Sequence, residues 1–373
     1  MRIIIEIGVI FMNFIYCFHK LAPVKNRVTV ISRQSSEPSV DVRILFRRLN
    51  ELHPEIETRM MYRMIPPGIG GKISYLLHMI GPEMHALATS KVVLLEGYSI
   101  PVSILKHKKK LKVIQMWHAL GIFKRFGRMV EGNKEGYNKA VIEGMRMHRN
   151  YDAVLASSGF CRPFYAQAFG YTEDHIKIIP LPRVDLLRDS SYHEAKAKEI
   201  YKVYPELKEK KNILYTPTHR KDDSLRGAVD RLLAANVNDE FNIIVKLHPI
   251  DRDSYKNTKA MYCGEFSSFE LISVADYVVT DYSAFVFEAA AADRPVFFYA
   301  YDMDDYINDR GFCIDYMNDM PTRPVQDAVS LFEMIKNDSY EKSRVKEFSD
   351  KFIDDTPGAT DRLVELIRVM YNS

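Results

Sequence analysis

In this 373-residue chain, two histidines, two arginines and a serine follow short apolar runs, where polar side chains can do chemistry. His118 lies in VIQMWHALGIFKRFG directly after the only tryptophan, with Lys124 and Arg125 close behind. An imidazole titrates near neutral pH, so at a strand end it can take a proton from a hydroxyl. His248, in VKLHP, ends another run in the other half of the chain. Arg220 in YTPTHR and Arg183 after Leu181-Pro182 are suited to neutralising phosphate, because the guanidinium fork is planar and always charged. Ser283, in TDYSAFVFE, reads as the N-cap of a helix. Unpaired amides and the positive end of the macrodipole make such a spot favourable for a diphosphate. Alone, each histidine and the capped helix read more readily as structural, a hydrogen-bonded core histidine or an ordinary cap, and each arginine reads as well as a surface ion pair. Together they describe a nucleotide diphosphate site with a general base.

The elements that must position these groups alternate. Arg27 to Ser32, Glu57 to Tyr62, Lys91 to Leu95, Val113 to Met116, Ala153 to Ser157 and Ile176 to Pro182 read as strands. Helices are expected over Val40 to Leu52, Glu135 to Arg149 and Phe160 to Phe169. In the second half, Asn212 to Tyr215, Phe241 to Leu247, Tyr277 to Thr280 and Val296 to Tyr299 read as strands. Each delivers polar or cationic residues at its carboxyl end. The order predicts parallel, doubly wound α/β sheets, which bind ligands at that end. Asp281-Tyr282-Ser283 is the turn after Thr280, and the Ala-rich run to Ala292 is the helix it opens, stopped by Asp293 and Pro295. The last helix runs from Asp361 to Asn372.

Length and charge bound the rest. A chain of this size suits two domains. The expected division is 1–182, a charge-rich connection 183–211, a ligand-binding domain 212–345 and terminal helices 346–373. A net charge of +3 demands no nucleic-acid partner. Cys17, Cys161, Cys263 and Cys313 have no metal or disulfide spacing, which fits a reducing compartment. No paired-carboxylate metal motif is visible either, so no resident cofactor is expected, and loosely bound magnesium is compatible with the sequence.

Two apolar stretches raise the question of a membrane. Ile3 to Phe18 is shorter than a span and carries Glu6, and Lys20, Lys25 and Arg27 follow it. It reads equally as an interfacial helix or a buried first element. The stripe from Ile73 to Leu87 reads as core. The basic run Lys106 to Lys110 is either a solvated loop or a contact with an anionic membrane surface.

With these motifs in order, WHALGIFKRFG, SSGFCRPFYAQAFGY, ILYTPTHR, VKLHP and ADYVVTDYSAFVFE with RPVFFYAYDMDDYINDRGF, the chain resembles the CDP-glycerol glycerophosphotransferases of teichoic acid synthesis. The resemblance spans roughly residues 111 to 316. It implies a GT-B type fold, two Rossmann-like domains facing across a cleft, with acceptor on the N-terminal side and CDP-linked donor on the C-terminal side. It also implies a peripheral protein on the cytoplasmic face of the cell membrane.

Carried over by position, His118 would deprotonate the acceptor hydroxyl. His248 would contact the donor phosphate as CMP departs. Ser283 would hold the diphosphate with the helix amides, Arg220 would sit near the same oxygens, and Glu288 would reach the ribose hydroxyls. Asp281 and Arg183 complete the implied donor site. Ala284 stands where the family has a second serine, so one hydroxyl contact is missing. The implied reaction transfers glycerol phosphate from CDP-glycerol to an undecaprenyl-diphosphate-linked disaccharide, releasing CMP. Chain length favours a primase that adds one unit. Alternatives are a poly(glycerol phosphate) or CDP-ribitol-dependent polymerase of teichoic acid or capsule, a GT-B glycosyltransferase, and a nucleotide-binding module without turnover.

Overall fold

In the computed structural model, residues 2–132, 136, 138–220, 222, 224–247, 251, 257, 259–304 and 311–373 are described. The chain forms two compact units. The first comprises Met1–Ala119, Phe126–Arg183 and Thr356–Ser373, and the second comprises Leu120–Arg125 and Val184–Asp355.

The first unit holds six strands: β1 (Arg27–Ser32), β2 (Glu57–Tyr62), β3 (Val92–Leu95), β4 (Lys112–Gln115), β5 (Ala153–Ala156) and β6 (Ile176–Ile178). They pair in the order β2-β1-β3-β4-β5-β6, every pair parallel. The inner strands VVLL and AVLA are buried throughout, as strands covered on both faces must be. The order reverses beside β1, so the carboxyl ends of β1 and β3 flank the crevice where such sheets take ligands. The last helix, Ala359–Asn372, packs on the Val40–Leu52 helix, and Arg48 reaches Asp361 at 2.6 Å.

The second unit holds β7 (Lys211–Thr216), β8 (Phe241–Val245), β9 (Tyr277–Thr280) and β10 (Val296–Phe298), again parallel, in the order β10-β9-β7-β8. One core cluster joins Ile213, Val245, Val279 and Phe297 from the sheet to Leu232 and Phe332 on the helices Ser224–Ala235 and Ala328–Lys336. The residues between Arg183 and Lys208 form helices Arg183–Leu187 and Ser190–Val203 and a 3-10 turn.

Three local expectations differ. The helix expected over 135–149 is observed only as Lys139–Gly144. Beyond it Arg146, His148 and Asn150 have positive φ of 49°, 63° and 70°. Tertiary contacts hold that backbone: the Asn150 amide donates to the carbonyls of Val102 and Leu105, at 2.9 and 3.1 Å. The second difference is the Ile73–Leu87 stripe. Met84 and Leu87 are buried, but the helix Gly68–His78 buries no residue, and Ile69, Ile73, Leu76 and Leu77 are exposed. A π-helical turn, Met79–Glu83, containing Pro82, separates the two parts and rotates one face away from the other. Third, the helix Phe285–Ala291 begins one residue later than the sequence suggests, with Ala284 as its cap residue.

The N-terminal segment, expected to be shorter than a membrane span, is one helix, Arg2–His19, which by length and composition is long and apolar enough to cross a membrane. Val9, Met12 and Tyr16 are buried against the unit, whereas Ile3, Ile7, Ile10, Phe11, Phe14 and Phe18 are exposed.

Candidate active site

Each unit gathers chemistry at the carboxyl ends of its strands. In the first unit, β4 ends at Gln115, whose buried amide donates to the Gly97 carbonyl and accepts from the Trp117 amide, at 3.0 and 2.9 Å. Trp117 is thereby held at φ 60°, a region costly for a bulky residue. Its ring stacks on Phe126 at 4.8 Å and lies 4.4 Å from the His118 ring. His118 Nδ1 is 2.9 Å from the Glu96 carbonyl oxygen. A carbonyl can only accept, so Nδ1 carries the proton and the lone pair lies on Nε2. Crowding by the surrounding protein lowers the pKa of His118, the nearby Arg183 charge lowers it further, and the Glu96 hydrogen bond opposes both. The residue is nevertheless exposed. A neutral imidazole with an available Nε2 can act as a general base.

Arg183 belongs to this group. Its backbone N, Nε and Nη2 donate to the buried Asp41 carboxylate at 2.8, 2.9 and 2.5 Å, and Nη2 reaches the His118 carbonyl at 3.2 Å. Ser39 caps the helix that carries Asp41 and donates to the Glu96 carboxylate. The structure thus brings Arg183 and His118 together.

In the second unit, Asp281 follows β9 and is fully buried. It accepts from the Thr218 amide at 2.9 Å, the Thr218 hydroxyl at 2.7 Å, the Tyr282 amide at 2.6 Å and Arg220 Nη2 at 2.9 Å. Arg220 Nε also donates to Asp302 at 2.6 Å, and the guanidinium lies 5.3 Å from both the Tyr282 and Tyr301 rings. Arg220 and Asp281 therefore tie together the loops after β7 and β9. Ser283 is half-buried, and its Oγ accepts from the Phe285 amide at 3.3 Å. Ala284 is exposed, and Glu288 lies half-buried in the first turn of the helix. His248 lies outside the described residues. Among the described residues, no group of three or more His, Cys, Asp or Glu side chains could hold a metal ion.

This arrangement can be set beside known proteins. The sequence model of the CDP-glycerol:poly(glycerophosphate) glycerophosphotransferase family matches residues 13–368. The chain belongs to this family. A teichoic acid ribitol-phosphate primase of Bacillus spizizenii is 28% identical over 93% of this chain and 92% of its own length. A teichoic acid glycerol-phosphate primase of Bacillus subtilis is 28% identical over 74% of this chain and 72% of its own. The fold is that of the wall teichoic acid polymerase TagF, with TM-score 0.77 and 20% identity, covering 100% of this chain and 97% of that one.

Within this glycerophosphotransferase, sequence reasoning missed several positioning groups. Glu96 has no motif of its own, and only the β3 to β4 pairing places its carbonyl beside His118. Asp41 sits 142 residues from Arg183 in the chain. His219 Nδ1 donates to Asp251 at 2.8 Å, a pairing for which the His-Arg step in YTPTHR gives no signal. Buried Glu83 accepts from the Ser99 hydroxyl at 2.9 Å, and burial raises its pKa to about 7.

Proposed function

We propose that the protein transfers a polyol phosphate, glycerol phosphate in the primary reading, from its CDP ester to a hydroxyl of an undecaprenyl-diphosphate-linked disaccharide, acting as a primase. The observation that carries this reading is His118, held through Nδ1 by the Glu96 carbonyl just past the end of β4 in a glycerophosphotransferase. In the reaction, His118 Nε2 takes the acceptor's hydroxyl proton while its oxygen bonds to the phosphorus bearing the glycerol. The bond from that phosphorus to the bridging oxygen breaks, and CMP leaves with the electron pair. Positioning and charge stabilisation supply most of the rate.

On this reading the two units form a GT-B type pair, with the acceptor on the first and the donor on the second. Ser283, the Ala284 amide and Glu288 would hold the diphosphate and ribose, with His248 assisting the departure of CMP. Arg220 and Asp281 would hold the shape of the donor loops, and Arg183 would hold His118. No resident cofactor is proposed, and loosely bound magnesium is compatible with the scheme.

We place the protein peripherally on the cytoplasmic face of the cell membrane. One side of the Arg2–His19 helix is packed on the first unit while its apolar opposite side is exposed, a pattern that supports lying on a membrane rather than spanning it.

A ribitol donor is the second reading, favoured by similarity to a ribitol-phosphate primase over nearly the whole chain. The test incubates the protein with a lipid-linked disaccharide and either CDP-glycerol or CDP-ribitol, and weighs the product. One added unit supports a primase and identifies its donor. Many units indicate a polymerase. Release of a nucleoside diphosphate from a nucleotide sugar would identify a glycosyltransferase, and turnover of neither CDP-polyol would refute the assignment.

A further inference from the structure

At the opposite end of the first sheet from His118 lies a cavity of about 410 Å³. Its wall is made by the loop before β4 and the loop before β5, and it includes Lys106, Lys108, Lys109, Arg146 and Arg149. Asp152 is the carboxylate on the same wall, and it is turned toward β4. Its Oδ2 accepts from the Val113 amide at 2.8 Å, and Lys112 lies 3.9 Å from its Oδ1. Cationic charge therefore dominates the cavity. A second hollow of about 430 Å³ shares Arg146 and Arg149 and adds Arg2, Arg128 and one carboxylate, Glu143, so its lining is also net cationic.

The N-terminal helix lies behind the loops that line the cavity and braces them. Tyr16 is fully buried and donates its hydroxyl to His107 Nδ1 at 3.1 Å, while His107 Nε2 donates to the Val102 carbonyl at 2.8 Å. Asn13 accepts from the Lys106 amide at 2.8 Å and donates to the Ile104 carbonyl at 3.0 Å. Lys20 Nζ reaches the Lys106 carbonyl at 3.2 Å, and Arg146 lies 3.5 Å from Glu6. The inner face of this helix thus fixes both basic loops, and its outer face presents Ile7, Ile10, Phe11 and Phe14 to the outside.

We propose that this cavity binds the phosphate headgroup of an anionic membrane lipid, as a site separate from the reaction centre. Its cations complement a phosphate diester, and its volume is that of a small polar ligand. The proposal rests on the membrane placement given above and sharpens it from general adhesion to selection of a lipid class.

The test separates the two. Monomeric dihexanoyl phosphatidylglycerol, below its micelle concentration, is titrated calorimetrically into the full chain, with dihexanoyl phosphatidylcholine as control. The glycerol lipid is expected to bind and the choline lipid to bind at least about tenfold more weakly, with an affinity that falls as salt rises. In the doubly substituted chain Lys109→Gln with Arg149→Gln, both exposed positions, affinity is expected to fall roughly 30-fold, the worth of two surface cations. Sedimentation with pure phosphatidylcholine vesicles should be the same for both chains. Equal binding of the two soluble lipids, or undiminished binding by the double variant, overturns the site. Inorganic phosphate binding as tightly as the lipid overturns the lipid assignment. So does preference for geranyl diphosphate, which would mark an acceptor-diphosphate site. Soluble lipid binding without vesicle binding supports the cavity and rejects the membrane attachment.

Discussion

The imidazole Nδ1 of His118 donates to the main-chain oxygen of Glu96 at 2.9 Å, and this one bond decides which ring nitrogen can act as a base. Because a main-chain carbonyl anchors the ring, replacing the Glu96 side chain leaves the tautomer in place. The division of labour proposed above then predicts that His118→Gln lowers kcat by about 10²- to 10⁴-fold, the usual worth of a general base, with little change in donor affinity. Ser283→Ala should instead raise the KM for the CDP-polyol. Steady-state kinetics on both variants reads this directly, and equal effects on both parameters from both variants would count against it.

The pH profile follows from the same group. Crowding and Arg183 place the pKa of His118 below its ordinary 6.5, so the base form persists to below that pH and the acid limb of kcat/KM lies under it. Arg183→Met removes one cation and leaves Asp41 uncompensated. Both changes favour the imidazolium, so the acid limb should move to higher pH. An unmoved limb would show that Arg183 is electrostatically irrelevant to the base. The folded state resists protonation of His118, so its contribution is fully present above 6.5 and is lost as pH falls through the window down to the lowered value.

Arg220→Ala should destabilise the second unit by about 3–5 kcal/mol, because it strands the fully buried Asp281 without its cation. Arg220→Lys should recover only part of the loss, since an ammonium cannot reproduce the fork that spans Asp281 and Asp302. Urea unfolding monitored by circular dichroism measures both. A wild-type midpoint for the alanine variant would mean the pair contributes nothing to the fold.

Gly121 gives a backbone test. It has φ 65°, and a Cβ there would come within 2.6 Å of the Phe287 ring. Gly121→Ala should therefore cost about 1–3 kcal/mol through the left-handed backbone and the overpacked ring. Thermal unfolding should register the loss, and Phe287→Leu in the same chain should restore part of it by making room.

Tyr277 to Thr280 is legible as a buried parallel strand and Lys91 to Leu95 as a strand, observed as Val92–Leu95, because an apolar run closed by a polar turn has few other uses in an alternating chain. The turn Asp281-Tyr282-Ser283 and the histidine after Trp117 are local signals too, and so is the family that carries them. The expected helix to Arg149 was not observed to that extent, since the backbone there answers to Asn150 reaching carbonyls some 45 residues away, and such contacts outweigh local propensity.

Only the tertiary structure decided the roles of the charged partners. Arg183 reads equally well as a phosphate ligand or a surface ion pair, and folding placed it against Asp41 and the His118 carbonyl. Arg220 is bound up with Asp281 and Asp302, loops that lie more than 60 residues away along the chain. The apolar N-terminal run likewise could be core or surface until the helix was seen to bury Val9, Met12 and Tyr16 and leave Ile7, Phe11 and Phe14 outside. The reason is common to all three. Residue type and spacing fix what a group can do and which element carries it, whereas its charge state, partner and exposure depend on neighbours that only the packed sheet brings within a few ångströms.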